Sequence, residues 1–343
     1  MSTNGKTNPG YFFEDYHIGQ VIEHATPRTL HDGDIAMYQA LYGPRFALQS
    51  SRDFTGQRGA AIDDLITFHT VFGKSVPDIS LNAVANLGYA EGRFFAPMAP
   101  GDTITARSEV IGLKENSNGK TGIVWVRTMG FKSADALVLS YVRWVMVRKR
   151  DPGSPAPEPV VPSLAPAVAP DDLVLPDGID WTGYDFAQAG EPHRLSDYAP
   201  GEIIDHVDGV TLSEAEHMMA TRLWQNTAKV HFDATHRPDG KRLIYGGHII
   251  SLARSLSFNG LANAQRIVGL NAGSHVNPAF AGDTIRAWSE VLALAETSRP
   301  GVGAIRLRLV ATKGSPAGAL RGADGKYLSE VLLDLDYWAL MPV

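Results

Sequence analysis

Glu14-Asp-Tyr-His-Ile-Gly-Gln-Val-Ile-Glu-His24 recurs as Ser196-Asp-Tyr-Ala-Pro-Gly-Glu-Ile-Ile-Asp-His206, 182 residues further on. Thr29-Leu30 recurs as Thr211-Leu212 at the same offset. Gly101-Asp-Thr-Ile-Thr-Ala-Arg-Ser-Glu-Val110 recurs as Gly282-Asp-Thr-Ile-Arg-Ala-Trp-Ser-Glu-Val291, 181 residues on. Three blocks in one order at nearly one spacing indicate a duplicated domain, because the period is far too long for a solenoid.

The chain between and around the copies agrees with this. Its 343 residues exceed what one hydrophobic core usually organises. Between the copies, Asp151-Pro-Gly-Ser-Pro-Ala-Pro-Glu-Pro-Val-Val-Pro-Ser-Leu-Ala-Pro-Ala-Val-Ala-Pro170 is dominated by proline. Proline removes N–H donors and fixes φ, so this run predicts an extended, semi-rigid connector crossing one face of the molecule. The expected organisation is an N-terminal domain over 1–150, a linker over 151–180 and a C-terminal domain over 181–343.

Each copy has the same coarse plan. A turn-rich entry leads into a helix, Asp32 to Tyr42 and Ser213 to Gln225, with Ser213 and Glu216 spaced as a capping box. A second, apolar helix follows, from about Ala60 to Phe72 and from about Gly247 to Phe258. Strands are expected near Val84–Phe95, Asp102–Leu113, Gly122–Phe131 and Ala136–Arg148. In the second copy they fall near Ile267–Val276, Asp283–Leu294, Gly303–Thr312 and Tyr327–Ala339. Ile305-Arg-Leu-Arg-Leu-Val310 alternates as a sheet with one wet face requires, whereas Leu137 to Val147 is continuously apolar, as for a strand covered on both sides. A buried helix beside a long antiparallel meander, twice over, predicts an α+β fold in which each sheet wraps a helix. The two sheets should join edge to edge, which hides edge strands.

Composition narrows function. The net charge is −6 and no long basic run is present, which gives nucleic-acid binding little support. There is no cysteine, so disulfide and thiolate chemistry are excluded. No apolar run approaches the roughly 20 residues that span a bilayer, and the opening Met1-Ser-Thr-Asn-Gly-Lys6 is polar. A cytoplasmic protein without membrane or nucleic-acid partners is expected. No metal or cofactor is expected either, since HExxH, P-loop and dinucleotide fingerprints are all missing.

One stretch carries chemistry. In Asn226-Thr-Ala-Lys-Val-His-Phe-Asp233 an amide precedes a histidine by five residues, and Tyr245-Gly-Gly-His-Ile-Ile-Ser251 then opens a helix with two glycines. These features, with Gly-Asp-Thr-Ile opening a strand, resemble the MaoC-like (R)-specific hydratases, and the duplication resembles their double-hot-dog members. Total length and the Phe13-Glu-Asp-Tyr16 opening are most similar to the mesaconyl-CoA (2-methylfumaryl-CoA) hydratases, also called β-methylmalyl-CoA dehydratases. The resemblance spans nearly the whole chain outside the linker and tail. It implies a tandem hot-dog fold and reversible hydration of a CoA thioester.

The family motif reads approximately Ser-Gly-Asp-x-Asn-Pro-hydrophobe-His-hydrophobe-Asp. It lies on Trp224 to Asp233, with His231 at the histidine, Asp233 at the trailing aspartate and Asn226 where the family has a catalytic aspartate. An amide cannot be a general base, so the family chemistry cannot transfer unmodified. In the first copy Pro44 and Gln49 occupy the paired positions, so that half is expected to be catalytically dead.

The resemblance implies His231 as acid/base. Asn226 would hold the water through its side-chain carbonyl or orient His231, and the Gly247 N–H would polarise the thioester carbonyl. Asp233 and His248 are local candidates for a further acid or a substrate contact; Asp63 and Asp64 could cross from the first copy. Arg45 and Arg254 are candidates for binding a second substrate carboxylate, and Lys229, Lys241 and Arg242 for CoA phosphates. His69, His217 and His275 read as structural. A homo-oligomer is expected from exposed sheet edges. Three alternatives stay open: an (R)-specific hydratase for ordinary acyl chains, a hot-dog acyl-CoA thioesterase, and a non-catalytic acyl-CoA-binding subunit.

Overall fold

The structure, a computed structural model, describes residues 5–54, 62–133, 135–314 and 317–343. Ten strands form one antiparallel sheet. The first half supplies β1 (Val21–Thr29), β2 (Ala83–Phe94), β3 (Thr103–Glu115), β4 (Thr121–Lys132) and β5 (Ala136–Arg148). The second supplies β6 (Ile203–Thr211), β7 (Arg266–His275), β8 (Thr284–Glu296), β9 (Val302–Lys313) and β10 (Val331–Pro342). The spatial order is β1-β3-β4-β5-β2-β7-β10-β9-β8-β6, so the halves mirror one another about β2 and β7. That seam is the edge-to-edge junction expected from sequence. It pairs Tyr89 with Gly273 and Gly92 with Leu270. Both glycines are required, because a Cβ at 92 would overlap the Leu270 side chain and one at 273 the Tyr89 ring.

Among the described residues, four helices exceed two turns: α1 (Asp32–Tyr42), α2 (Asp64–Ser75), α3 (Glu214–Leu223) and α4 (Gly246–Leu256). Every residue of α2 is buried, as is α4 from Gly247 to Ser255. Each sheet half therefore wraps a helix that is buried all round, the tandem hot-dog arrangement. A single core runs through both halves, from Phe68 and Phe72 of α2 to Ile249 and Ile250 of α4. Residues 138 to 143 of β5 are buried without interruption, as the apolar run predicts. No helix among the described residues is long and apolar enough to cross a membrane.

Several expectations need correction. The turn-rich entries contain strands β1 and β6, which the sequence reading missed; their burial patterns are mostly exposed, as suits sheet edges with weak apolar alternation. Ser213 makes no capping hydrogen bond, so the predicted box is not formed. Helix α2 begins at Asp64, and residues 60 and 61 of the expected start lie outside the described residues. The last strand begins at Val331, because Tyr327 pairs with Arg321 in a small local hairpin.

The proline-rich connector runs along the outer surface. Val160 bridges to Leu113, and the Val168 N–H donates to Asn271 Oδ1 at 2.8 Å. Trp338 Nε1 donates to the Val168 carbonyl at 3.0 Å. Val168, Leu173, Ile179 and Trp181 cover Val268, Ala304 and Leu340, so the connector buries the outer sheet face.

Candidate active site

A cavity of about 280 Å³ lies where the two halves meet. The first half contributes Phe72 of α2, Ser80, and Asn86 and Tyr89 of β2. The second contributes Asn226, His231, Tyr245, Gly246 and His275. The sequence motif is thus brought to a pocket whose opposite wall comes from the other half.

His231 sits on the single helical turn Lys229–Phe232. Its Nδ1 lies 2.8 Å from the Leu243 carbonyl oxygen. A carbonyl only accepts, so Nδ1 carries the proton and the neutral ring keeps the Nε2 lone pair free. Burial pushes the His231 pKa down to about 4, partly offset by that same hydrogen bond. The ring is therefore neutral at pH 7.

Asn226 is buried beside it. Its Oδ1 accepts from the Ala228 N–H at 3.1 Å, an Asx turn that fixes the loop. One lone pair of the carbonyl expected to hold water is thus engaged by backbone, and the amide N–H donors stand beside it at the cavity wall. The loop is seated on α2 at Gly73, where a Cβ would overlap the Trp224 carbonyl oxygen. Gln225 takes φ +54° to complete the turn.

At the start of α4 the glycine facing the cavity is Gly246; Gly247 is buried behind it and is not in the lining. Neither first-turn amide has a hydrogen-bond partner among the described residues, whereas His248 N–H bonds to Tyr245 O. Helix geometry leaves these first N–H groups free. Gly246 must lack a side chain because a Cβ would overlap the His275 ring.

The other sequence candidates are elsewhere. His248 is fully buried between the halves, its Nδ1 3.3 Å from Tyr42 Oη. Asp233 caps a short turn, accepting from Thr235 N–H at 3.0 Å. Arg45 is exposed, 4.3 Å above the Phe258 ring. Arg254 is buried against the Phe46 ring at 3.6 Å and donates to the Ala264 carbonyl, so its donors are consumed by the fold. Asp64 does cross between halves, but to Arg266 and the Ile267 N–H, and Asp63 caps α2. Lys229 and Lys241 are exposed at the surface, and Arg242 pairs with Glu214.

Three cavity residues were missed. His275, read as structural, faces the pocket with its Nε2 3.1 Å from Tyr89 Oη. Burial and the nearby His231 charge lower its pKa to about 4. Ser80 and Asn86 belong to no motif; only the seam brings them opposite His231.

Residues 2–322 match the family model described as mesaconyl-CoA hydratase. The chain is 68% identical over 341 residues to the mesaconyl-CoA hydratase of Cereibacter sphaeroides, covering 98% of this chain and 99% of that protein. It is 57% identical to the β-methylmalyl-CoA dehydratase of Chloroflexus aurantiacus, covering 99% of each. A crystal structure of a MaoC-domain dehydratase from Chloroflexus aurantiacus superposes with TM-score 0.95 at 57% identity, over 98% of this chain and 99% of that one. A Mycobacterium tuberculosis protein described as having a double hot-dog fold superposes with TM-score 0.73 at 24% identity, over 98% and 99% of the two chains. The cavity between the halves, with its motif histidine in place, is that of a chain that belongs to the mesaconyl-CoA hydratase family.

Proposed function

We propose that the chain is a hydro-lyase that reversibly hydrates mesaconyl-CoA to β-methylmalyl-CoA in the cavity between its halves. The observation that carries the chemistry is the His231 ring, held in one tautomer with Nε2 free at a pocket wall. In hydration, Nε2 takes a proton from water as the oxygen adds to the carbon bearing the free carboxylate. The double-bond electrons move toward the thioester oxygen. The imidazolium then returns its proton to the carbon that bears the methyl group. One water is consumed, His231 ends neutral, and dehydration is the same path reversed.

The Gly246 N–H, rather than that of Gly247, is the backbone donor suited to the thioester oxygen, where a helix start favours developing negative charge. Asn226 supplies amide hydrogens to the water or the substrate, and the second lone pair of its carbonyl is available to the water. A pKa near 4 makes a weak base; an anionic substrate raises it, because a nearby negative charge favours the imidazolium. The steps need only acid–base groups, and no cofactor is invoked. The first half, with Gln49 donating to the Gln265 carbonyl at 2.8 Å, serves as the opposite wall and not as a second catalytic centre. A homo-oligomer fits the outer strands, where Val21 and Ile203 are exposed at equivalent positions.

Purified protein offered mesaconyl-CoA, crotonyl-CoA and a saturated acyl-CoA tests the reading. Hydration of mesaconyl-CoA without thiol release is expected. Hydration of no enoyl-CoA overturns it, and thiol release alone points to a thioesterase.

A further inference from the structure

The substrate just proposed carries a free carboxylate, and neither Arg45 nor Arg254 reaches the cavity. We infer that Ser80 and Asn86, backed by Arg143, form the subsite that binds that second carboxylate. The inference rests on the mesaconyl-CoA reading and specifies how the diacid is selected.

Arg143 lies on β5, paired across the ladder with Tyr89, which lines the cavity. It is fully buried. Buried guanidinium groups usually meet a carboxylate, because an unpaired charge out of water is costly. Arg143 meets none among the described residues. Its two terminal nitrogens donate to Ser80 Oγ at 3.0 Å and Ser75 Oγ at 2.8 Å, and its Nε has no partner. It also lies over the Phe72 ring, 4.4 Å away and in the cavity wall, with the phenols of Tyr89 and Tyr141 nearby. The acid closest in sequence to Ser80, Asp78, is engaged by His24 at 2.8 Å.

Ser75 and Ser80 bracket a π-helical turn, Val76–Ser80, that prolongs α2. Such turns re-aim side chains and recur at functional sites. Here the turn sets Ser80 between the buried cation and the cavity. Its oxygen accepts from Arg143, so its own hydrogen is available for an acceptor in the pocket. Asn86 supplies the second observation. It lines the same cavity, where its Oδ1 and Nδ2 are buried with no hydrogen bond of good geometry and only the Tyr89 hydroxyl close by to interact with the amide. A native interior seldom leaves both ends of an amide unmet, and a bound acceptor is the natural partner for its donor end. Two neutral donors in front of one uncompensated positive charge are suited to a carboxylate and unsuited to a methyl group. Arg143 is on this reading a positioning residue, acting through Ser80.

The test compares two unreactive probes, methylsuccinyl-CoA and the analogue with a methyl group replacing its carboxylate. Wild-type protein should bind the diacid about 10- to 100-fold more tightly, the value of hydrogen bonds to a charged group. Ser80→Ala and Asn86→Leu should each remove much of that preference while affinity for the uncharged probe is retained. Arg143→Lys should keep part of it and Arg143→Met lose it. If Arg143→Met fails to fold, the Ser80 and Asn86 variants decide alone. Equal losses on both probes, or an unchanged preference, overturn the subsite. Failure of the wild-type protein to hydrate mesaconyl-CoA overturns the function itself, a separate result.

Discussion

His231 Nδ1 donates to the carbonyl oxygen of Leu243 at 2.8 Å, tying the Lys229–Phe232 turn to the segment that leads into α4. Replacing His231 by Ala should reduce hydration of mesaconyl-CoA by about 10² to 10⁴, the usual worth of a positioned acid/base group. The residue is only half-buried at the cavity wall, so circular dichroism and the melting temperature should change little. His231→Gln offers no proton acceptor of comparable basicity and should be equally inactive. An active His231→Ala protein would refute the assignment.

Asn226→Asp separates the two atoms of the amide. The carboxylate keeps an oxygen for the Ala228 N–H, so the loop should hold its shape. The donor facing the cavity is lost and a charge replaces it. Affinity for methylsuccinyl-CoA should fall about tenfold or more, as like charges and a missing donor both act against it. Titration calorimetry reads this directly. Unchanged affinity would mean that the Asn226 amide nitrogen faces no anionic part of the ligand.

Gly73→Ala tests how the motif loop is held. An added Cβ on α2 overlaps the Trp224 carbonyl oxygen, which is backbone and cannot swing aside. The loop must lift, carrying Asn226 with it. A stability loss of about 1–3 kcal/mol is expected from overpacking, measured by urea denaturation. kcat/KM should drop more than the stability change alone implies. Normal kinetics in a destabilised protein would show that the loop position is not demanding.

Acid should destabilise the fold early. Burial lowers the pKa of His69 and His217 to about 3, and of His206, His231, His248 and His275 to about 4. Unfolded histidines take up protons near pH 6.5, while these native ones do not. Between about 6.5 and 4 the unfolded state binds more protons, so stability falls as pH falls through that window. Urea midpoints measured at pH 7, 6, 5 and 4.5 should decline progressively. A flat profile would mean that these rings ionise freely in the native protein.

The fold was legible because duplication repeats its punctuation. The Gly-Asp-Thr-Ile turns, the two apolar helices and the proline-rich connector each mark a boundary that local chemistry enforces. The edge strands β1 and β6 escaped, since an edge half-open to solvent needs little apolar alternation. Of the site, His231 and Asn226 were readable from their motif. The arginines were not: Arg254 looks available in sequence, yet its guanidinium is spent on the Ala264 carbonyl and the Phe46 ring. Arg143 hides in an apolar strand. Gly246 and Gly247 differ only in which face of the first turn they occupy, a matter of one helical step. Ser80, Asn86 and His275 acquire meaning only when β2 meets β7.

That seam has a further consequence. His231 stands on one side of it and Arg143 on the other. Two identical chains joined the same way would need both features in every copy and would build two pockets. One chain holding both halves needs each feature once. Under the proposed mechanism, the sequence that faces His231 is thereby free to specialise in recognising what is hydrated, and the sequence that carries His231 in performing the hydration. Division of labour within a single polypeptide is what the covalent connector makes permanent.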